Sequence, residues 1–193
     1  MIFLLYSLVC CGRITYLSSV QLTNMYTKNR LSSFSPPQNS VDLVSFAYSS
    51  PPPYEDGWMW IVEPSGDNIN YGSSIQCGDD VVLKSSINNH YIEAINNDGN
   101  VSIGVSNEIL GESSQWTVIC RTPPYWDTDQ QVQLKNSKYG CYLQTSFENE
   151  FPDDENKYSV NCSSLSKASV WIVTEGAIFG DSIKDEKPNT DEL

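Results

Sequence analysis

The sequence repeats a strand pattern three times in the same order, and this limits the available folds more than any other feature. Val20-Gln21-Leu22, Val81-Val82-Leu83 and Val132-Gln133-Leu134 each carry Val-x-Leu, and nine residues after each Leu stands Leu31, Ile92 or Leu143. Each copy closes on a tryptophan, in Trp60-Ile61-Val62, Trp116-Thr117-Val118 and Trp171-Ile172-Val173. Apolar residues alternate at period two within these segments, which predicts strands. Copy two also shows a hairpin, with Tyr91 to Ile95, a turn at Asp98-Gly99, and Val101, Ile103 and Val105 returning. Asp98-Gly99 supplies the positive φ that a tight hairpin turn requires.

One such four-strand unit cannot bury its apolar face alone. Three around a pseudo-threefold axis close a barrel and cap it with hairpins, leaving few open edges. The expectation is an all-β protein, a β-trefoil, with the Val-x-Leu and Trp-x-Val positions in its core. The repeats are placed at about residues 20–63, 77–120 and 130–175, within a domain spanning 20–179. Copy one is irregular, because 27 residues from Ser33 to Met59 separate its second strand from its closing Trp. With Pro36-Pro37 and Pro51-Pro52-Pro53, that stretch reads as an extended or polyproline loop, and Phe46, Tyr48 and Tyr54 are its candidate partner-binding residues.

The 193-residue chain holds 11 Lys and Arg against 24 Asp and Glu, a net charge of −13, which disfavours nucleic acid as a partner. The acidity concentrates in 148–155, with five acids, and in 181–192, with five more. Residues 2–11 are apolar but too short to span a bilayer, so residues 1–12 are expected to be a signal peptide, with cleavage as late as residue 19 also compatible. The alternative for that run is a first core strand. No stable membrane insertion is expected. Residues 180–193 form an acidic tail, expected to be disordered, and its end, Thr190-Asp191-Glu192-Leu193, resembles the Lys/His-Asp-Glu-Leu signal that returns proteins to the endoplasmic reticulum.

Removal of the signal peptide would take Cys10 and Cys11 and leave four cysteines, for which three pairings are possible. Cys77 enters the first strand of copy two and Cys120 leaves its fourth, strands that lie side by side in a trefoil unit. Cys141 and Cys162 fall at opposing places in the predicted hairpin of copy three. The favoured disulfides are therefore Cys77 with Cys120 and Cys141 with Cys162. A zinc site is the alternative, but there is no Cys-x-x-Cys and a single histidine, His90. Asn100-Val101-Ser102 and Asn161-Cys162-Ser163 are glycosylation acceptors in a luminal protein.

Residues near His90 form no recognisable triad, and 148–155 lacks the ligand spacing and turn glycine of an EF-hand loop. The reading is a non-enzymatic protein with no cofactor.

Ile75-Gln76-Cys77-Gly78, Trp116-Thr117-Val118-Ile119-Cys120 followed by Pro124-Tyr125-Trp126, and Trp171 with Glu175-Gly176-Ala177-Ile178-Phe179 resemble MIR-domain proteins, and among them the luminal group related to stromal cell-derived factor two. Copy one departs from this pattern, reading Ser18-Ser19 where Cys-Gly is usual. Ser32, Glu93 and Gln144 stand where the family often has histidine after the second-strand Leu. The resemblance implies a β-trefoil of three MIR repeats in luminal quality control, with a J-domain co-chaperone and its Hsp70 as partners. A sugar-binding module is the competing reading, since trefoils serve as lectins. A lectin would repeat an acid and an aromatic at equivalent surface positions, and Trp126 has no counterpart visible in the other copies.

Overall fold

Alternating apolar and polar side chains make each Val-x-Leu and Trp-x-Val segment a half-buried strand, and the computed structural model shows how twelve strands assemble. It describes residues 12–34, 46–50, 58–66, 71–151 and 154–178. The proposed leader residues 1–11, Tyr54 and the terminal Thr190 to Leu193 lie outside them. Copy one contains β1 (Ser19–Asn24), β2 (Arg30–Phe34), β3 (Phe46–Ser50) and β4 (Met59–Pro64). Copy two contains β5 (Asp80–Ser85), β6 (Tyr91–Asn97), β7 (Asn100–Ser106) and β8 (Trp116–Cys120). Copy three contains β9 (Val132–Asn136), β10 (Tyr142–Phe151), β11 (Asp154–Ser163) and β12 (Trp171–Ala177). Only strands and two short 3-10 turns occur among the described residues.

The first and fourth strands of the copies close a barrel, because β1 pairs with β4, β4 with β5, β5 with β8, β8 with β9, β9 with β12 and β12 with β1. The remaining strands form the hairpins β2–β3, β6–β7 and β10–β11. Their third strands meet one another at Phe46 with Gly104, Ser102 with Asn161, and Ser49 with Tyr158. This is a β-trefoil. Asp98 and Gly99 take φ of 51° and 93°, as the β6–β7 turn requires.

Inside, Leu22, Leu83 and Leu134 share the core with Leu31, Ile92 and Leu143 and with Trp60, Trp116 and Trp171, all fully buried. A buried indole of this size contributes roughly 4–6 kcal/mol from the area it removes from water, before entropy is charged against it. Each tryptophan also donates its Nε1–H to the carbonyl of the second-strand residue of its own copy: Trp60 to Leu31 at 2.9 Å, Trp116 to Ile92 at 3.3 Å and Trp171 to Leu143 at 2.9 Å. Gly176 is required by close approach, since a Cβ there would strike the Ser19 carbonyl across the β12–β1 pair.

Four sequence expectations need correction. First, each copy begins before the residue assigned to it. Ile14, Ile75 and Trp126 are fully buried. Their backbones close a three-membered ring, in which Ile14 N–H donates to Trp126 O at 2.8 Å, Trp126 N–H to Ile75 O at 3.0 Å and Ile75 N–H to Ile14 O at 2.9 Å. The packed domain therefore reaches back to about residue 12, ahead of the expected start at 20, and cleavage as late as residue 19 would remove the core residues Ile14 and Tyr16. Second, Trp126 is a core position and not a surface one: its equivalents are the buried aliphatic Ile14 and Ile75, and no aromatic repeats there.

Third, this ring aligns Tyr16-Leu17, rather than Ser18-Ser19, with Cys77-Gly78. Leu17, Gly78 and Asp129 share a left-handed backbone, with φ of 71°, 106° and 62°. Their N–H groups donate to Val62, Val118 and Val173 carbonyls at 2.7, 2.7 and 3.2 Å. Fourth, the long segment of copy one contains a strand. Phe46 and Tyr48 belong to β3, paired with Phe34 and Ser32 of β2, and are not loop residues. The flanking prolines and serines hide this strand, whose partners come from β2, β7 and β11.

Candidate interaction surface

Both disulfides join the strands expected of them, with Cys77 bonded to Cys120 and Cys141 bonded to Cys162. The first ties the segment entering β5 to the end of β8, and the second ties the start of the β10–β11 hairpin to its return. The sequons differ in setting. Asn100 is exposed at the β6–β7 turn. Asn161 sits in the cap between Gln144 of β10 and Ser102 of β7, and its Oδ1 is buried without a hydrogen-bond partner. His90 lies just before β6, with Nδ1 buried and unpartnered, and no group of three potential metal ligands occurs among the described residues.

The three barrel junctions can be compared position by position. Lys84 of β5 pairs with Tyr91 of β6, Lys135 with Tyr142, and Thr23 with Arg30. At the first junction Glu63 accepts a hydrogen bond from the Tyr91 hydroxyl at 3.0 Å and lies 3.5 Å from the Lys84 ammonium. Burial, reinforced by the Glu63 carboxylate, raises the Tyr91 pKa. Burial disfavours charge on Lys84, but Glu63 and Tyr91 together more than offset this, so the ammonium is held above its ordinary pKa. Thr23 bonds instead to Thr174 at 2.8 Å, and no acid takes part in that contact. The Glu63–Tyr91 pair of the first junction therefore has no equivalent in the Thr23–Thr174 contact.

The positions where the resembled family often has histidine are equivalent in the fold and chemically divergent. Ser32 is fully buried, Glu93 is buried, and Gln144 accepts a hydrogen bond from the Ser166 hydroxyl at 2.8 Å. Burial raises the Glu93 pKa, and the neighbouring Lys138 charge only partly counters it.

Two surface features escaped the sequence reading. Tyr26, Phe147 and Tyr158 form an aromatic row with centroids 5.2 Å apart at each contact, and the Lys167 ammonium lies 4.2 Å from the Tyr26 centroid. These residues come from separate turns and strands, so no sequence spacing announces them. A groove of about 320 Å³ lies between the β4 end and the β7–β8 connection, and Leu17, Glu63, Pro64, Tyr71 and Ile109 are among the residues lining it.

No family model and no curated protein matches this sequence. Solved structures do. An SDF2-like protein from Arabidopsis thaliana superposes with a TM-score of 0.77 at 20% identity, over 88% of this chain and 99% of that one. The two share one fold. The protein O-mannosyltransferase Pmt1-Pmt2 complex of S. cerevisiae, solved with its sugar donor, contains a region that superposes at 0.72 with 16% identity, over 87% of this chain but 26% of that one. ThreeFoil, a designed 3-fold symmetric protein, superposes at 0.56 with 14% identity, over 81% of this chain and 98% of that one. At these identities the likeness establishes the fold. The designed protein's threefold symmetry agrees with the strand order described above.

Proposed function

We propose that this chain is a MIR-repeat protein of the endoplasmic-reticulum lumen that binds other proteins and catalyses nothing. In this reading it assists folding and quality control beside a J-domain co-chaperone and its Hsp70, or binds their clients. The observation that carries the proposal is the extent of the match to the SDF2-like protein, which covers 99% of that chain. Two disulfides, one between barrel segments of copy two and one within the cap hairpin of copy three, fit an oxidising compartment. A threefold lectin is disfavoured, because the Glu63–Tyr91 pair has no acidic equivalent at the Thr23–Arg30 junction.

The test uses the intact mature chain with an internal tag, since deleting the long segment of copy one would remove β3 from the cap. Capture from luminal extract, with identification of the bound proteins, is expected to recover a J-domain protein and an Hsp70. Recovery of neither, together with saturable binding to a defined glycan, would overturn the proposal in favour of the lectin.

A further inference from the structure

Leu17 occupies a backbone position for which leucine is poorly suited. The trefoil needs a left-handed residue there in every copy, because that geometry aims the N–H at the carbonyl of the closing-strand valine. Copy two meets the need with Gly78, which adopts positive φ freely, and copy three with Asp129, from a residue type that visits this region more readily than leucine. A Cβ at Gly78 would meet nothing within 4 Å, so the position itself asks for no side chain. Backbone strain of this kind persists where the surrounding structure enforces it, and it collects at binding sites.

The side chain that this strain maintains helps line the groove of about 320 Å³ together with Tyr71 and Ile109. Tyr71 is 71% exposed and Ile109 45% exposed, and the next residue, Leu110, is 49% exposed. Single exposed apolar residues are ordinary on a protein surface, but a group of them around a concavity is not. The charges nearby are mainly acidic. Glu63 lines the groove, Glu108 is exposed beside Ile109, and Glu112 is exposed in the following turn. Glu63 is already engaged by Lys84 and the Tyr91 hydroxyl, so among the described residues the unengaged acids beside the groove are Glu108 and Glu112.

We infer that this groove docks an extended peptide segment of a partner protein, with an apolar side chain seated among Leu17, Tyr71 and Ile109 and flanking Lys or Arg facing the acidic rim. The inference rests on the protein-binding reading above and adds the site and the chemistry of the bound segment to it.

Fluorescence anisotropy would measure binding of a labelled peptide of alternating Leu and Lys, beside one with Glu for Lys and one with Ser for Leu. The intact chain is expected to bind the Leu-Lys peptide saturably and each control at least about tenfold more weakly. Leu17→Gly should weaken binding about tenfold or more while leaving the melting temperature unchanged or raised, because it relieves the strained backbone. Ile109→Ser should weaken binding similarly, whereas Phe147→Ser, in the separate aromatic row, should not. Undiminished binding by Leu17→Gly and Ile109→Ser would overturn the inference, leaving only diffuse attraction of a basic peptide to an acidic protein. Failure to bind the peptide by a chain that still captures chaperones would sink the groove and spare the functional reading. Saturable glycan binding lost in Leu17→Gly would overturn both.

Discussion

Trp171 closes copy three by donating its indole N–H to the Leu143 carbonyl at 2.9 Å, so the two positions that mark the repeat in sequence are bonded to each other in space. Trp171→Ala should destabilise by about 3–5 kcal/mol through the cavity left in the core. Trp171→Phe keeps most of the apolar volume but removes the hydrogen bond to the Leu143 carbonyl, and should cost about 1–3 kcal/mol. Urea unfolding followed by circular dichroism separates these outcomes. A loss below about 0.5 kcal/mol for the alanine variant would show that the barrel does not depend on this contact, as it would match an ordinary surface substitution.

The disulfides close sequence separations of 43 and 21 residues. If each acts mainly by restricting the unfolded chain, replacing Cys77 and Cys120 by Ala should cost about 4 kcal/mol, and replacing Cys141 and Cys162 about 3 kcal/mol. Peptide mapping without reduction should recover Cys77 with Cys120 and Cys141 with Cys162. A Cys120–Cys141 peptide from native protein would contradict the strand pairing.

Asn100 and Asn161 should differ in occupancy when the chain is expressed through a secretory pathway. Asn100 projects from an exposed hairpin turn, whereas Asn161 is held between two cap strands and precedes a disulfide cysteine. Asn100→Gln should abolish the mass lost on endoglycosidase treatment, and Asn161→Gln should leave it unchanged. A glycan on Asn161 would mean that the chain is modified before the cap forms.

Glu93 should limit stability at neutral pH. Burial raises its pKa in the folded protein above the unfolded value. The protonated form is therefore the one the fold favours, so this residue's contribution is fully present below the unfolded pKa and is lost as pH rises through the folded pKa. Glu93→Gln should raise the melting temperature at pH 7 and change it less at pH 4. A variant less stable than the parent at pH 7 would show that the carboxylate makes a net favourable interaction, with Lys138 the first candidate partner.

Sequence alone determined the threefold architecture, the nine core positions marked by the repeat and both disulfides, because each follows from local periodicity and from which strands a trefoil makes neighbours. It did not show that Phe46 to Ser50 form a strand, since that segment has weak local signals and acquires its pairing from three other strands. Nor did it show that Trp126 is equivalent to two isoleucines, because a position defined by a ring of backbone hydrogen bonds accepts any apolar side chain that fills the space. The left-handed leucine and its groove were hidden for the same reason: Leu17, Tyr71 and Ile109 are far apart in the chain, and only closure of the barrel brings them to one surface.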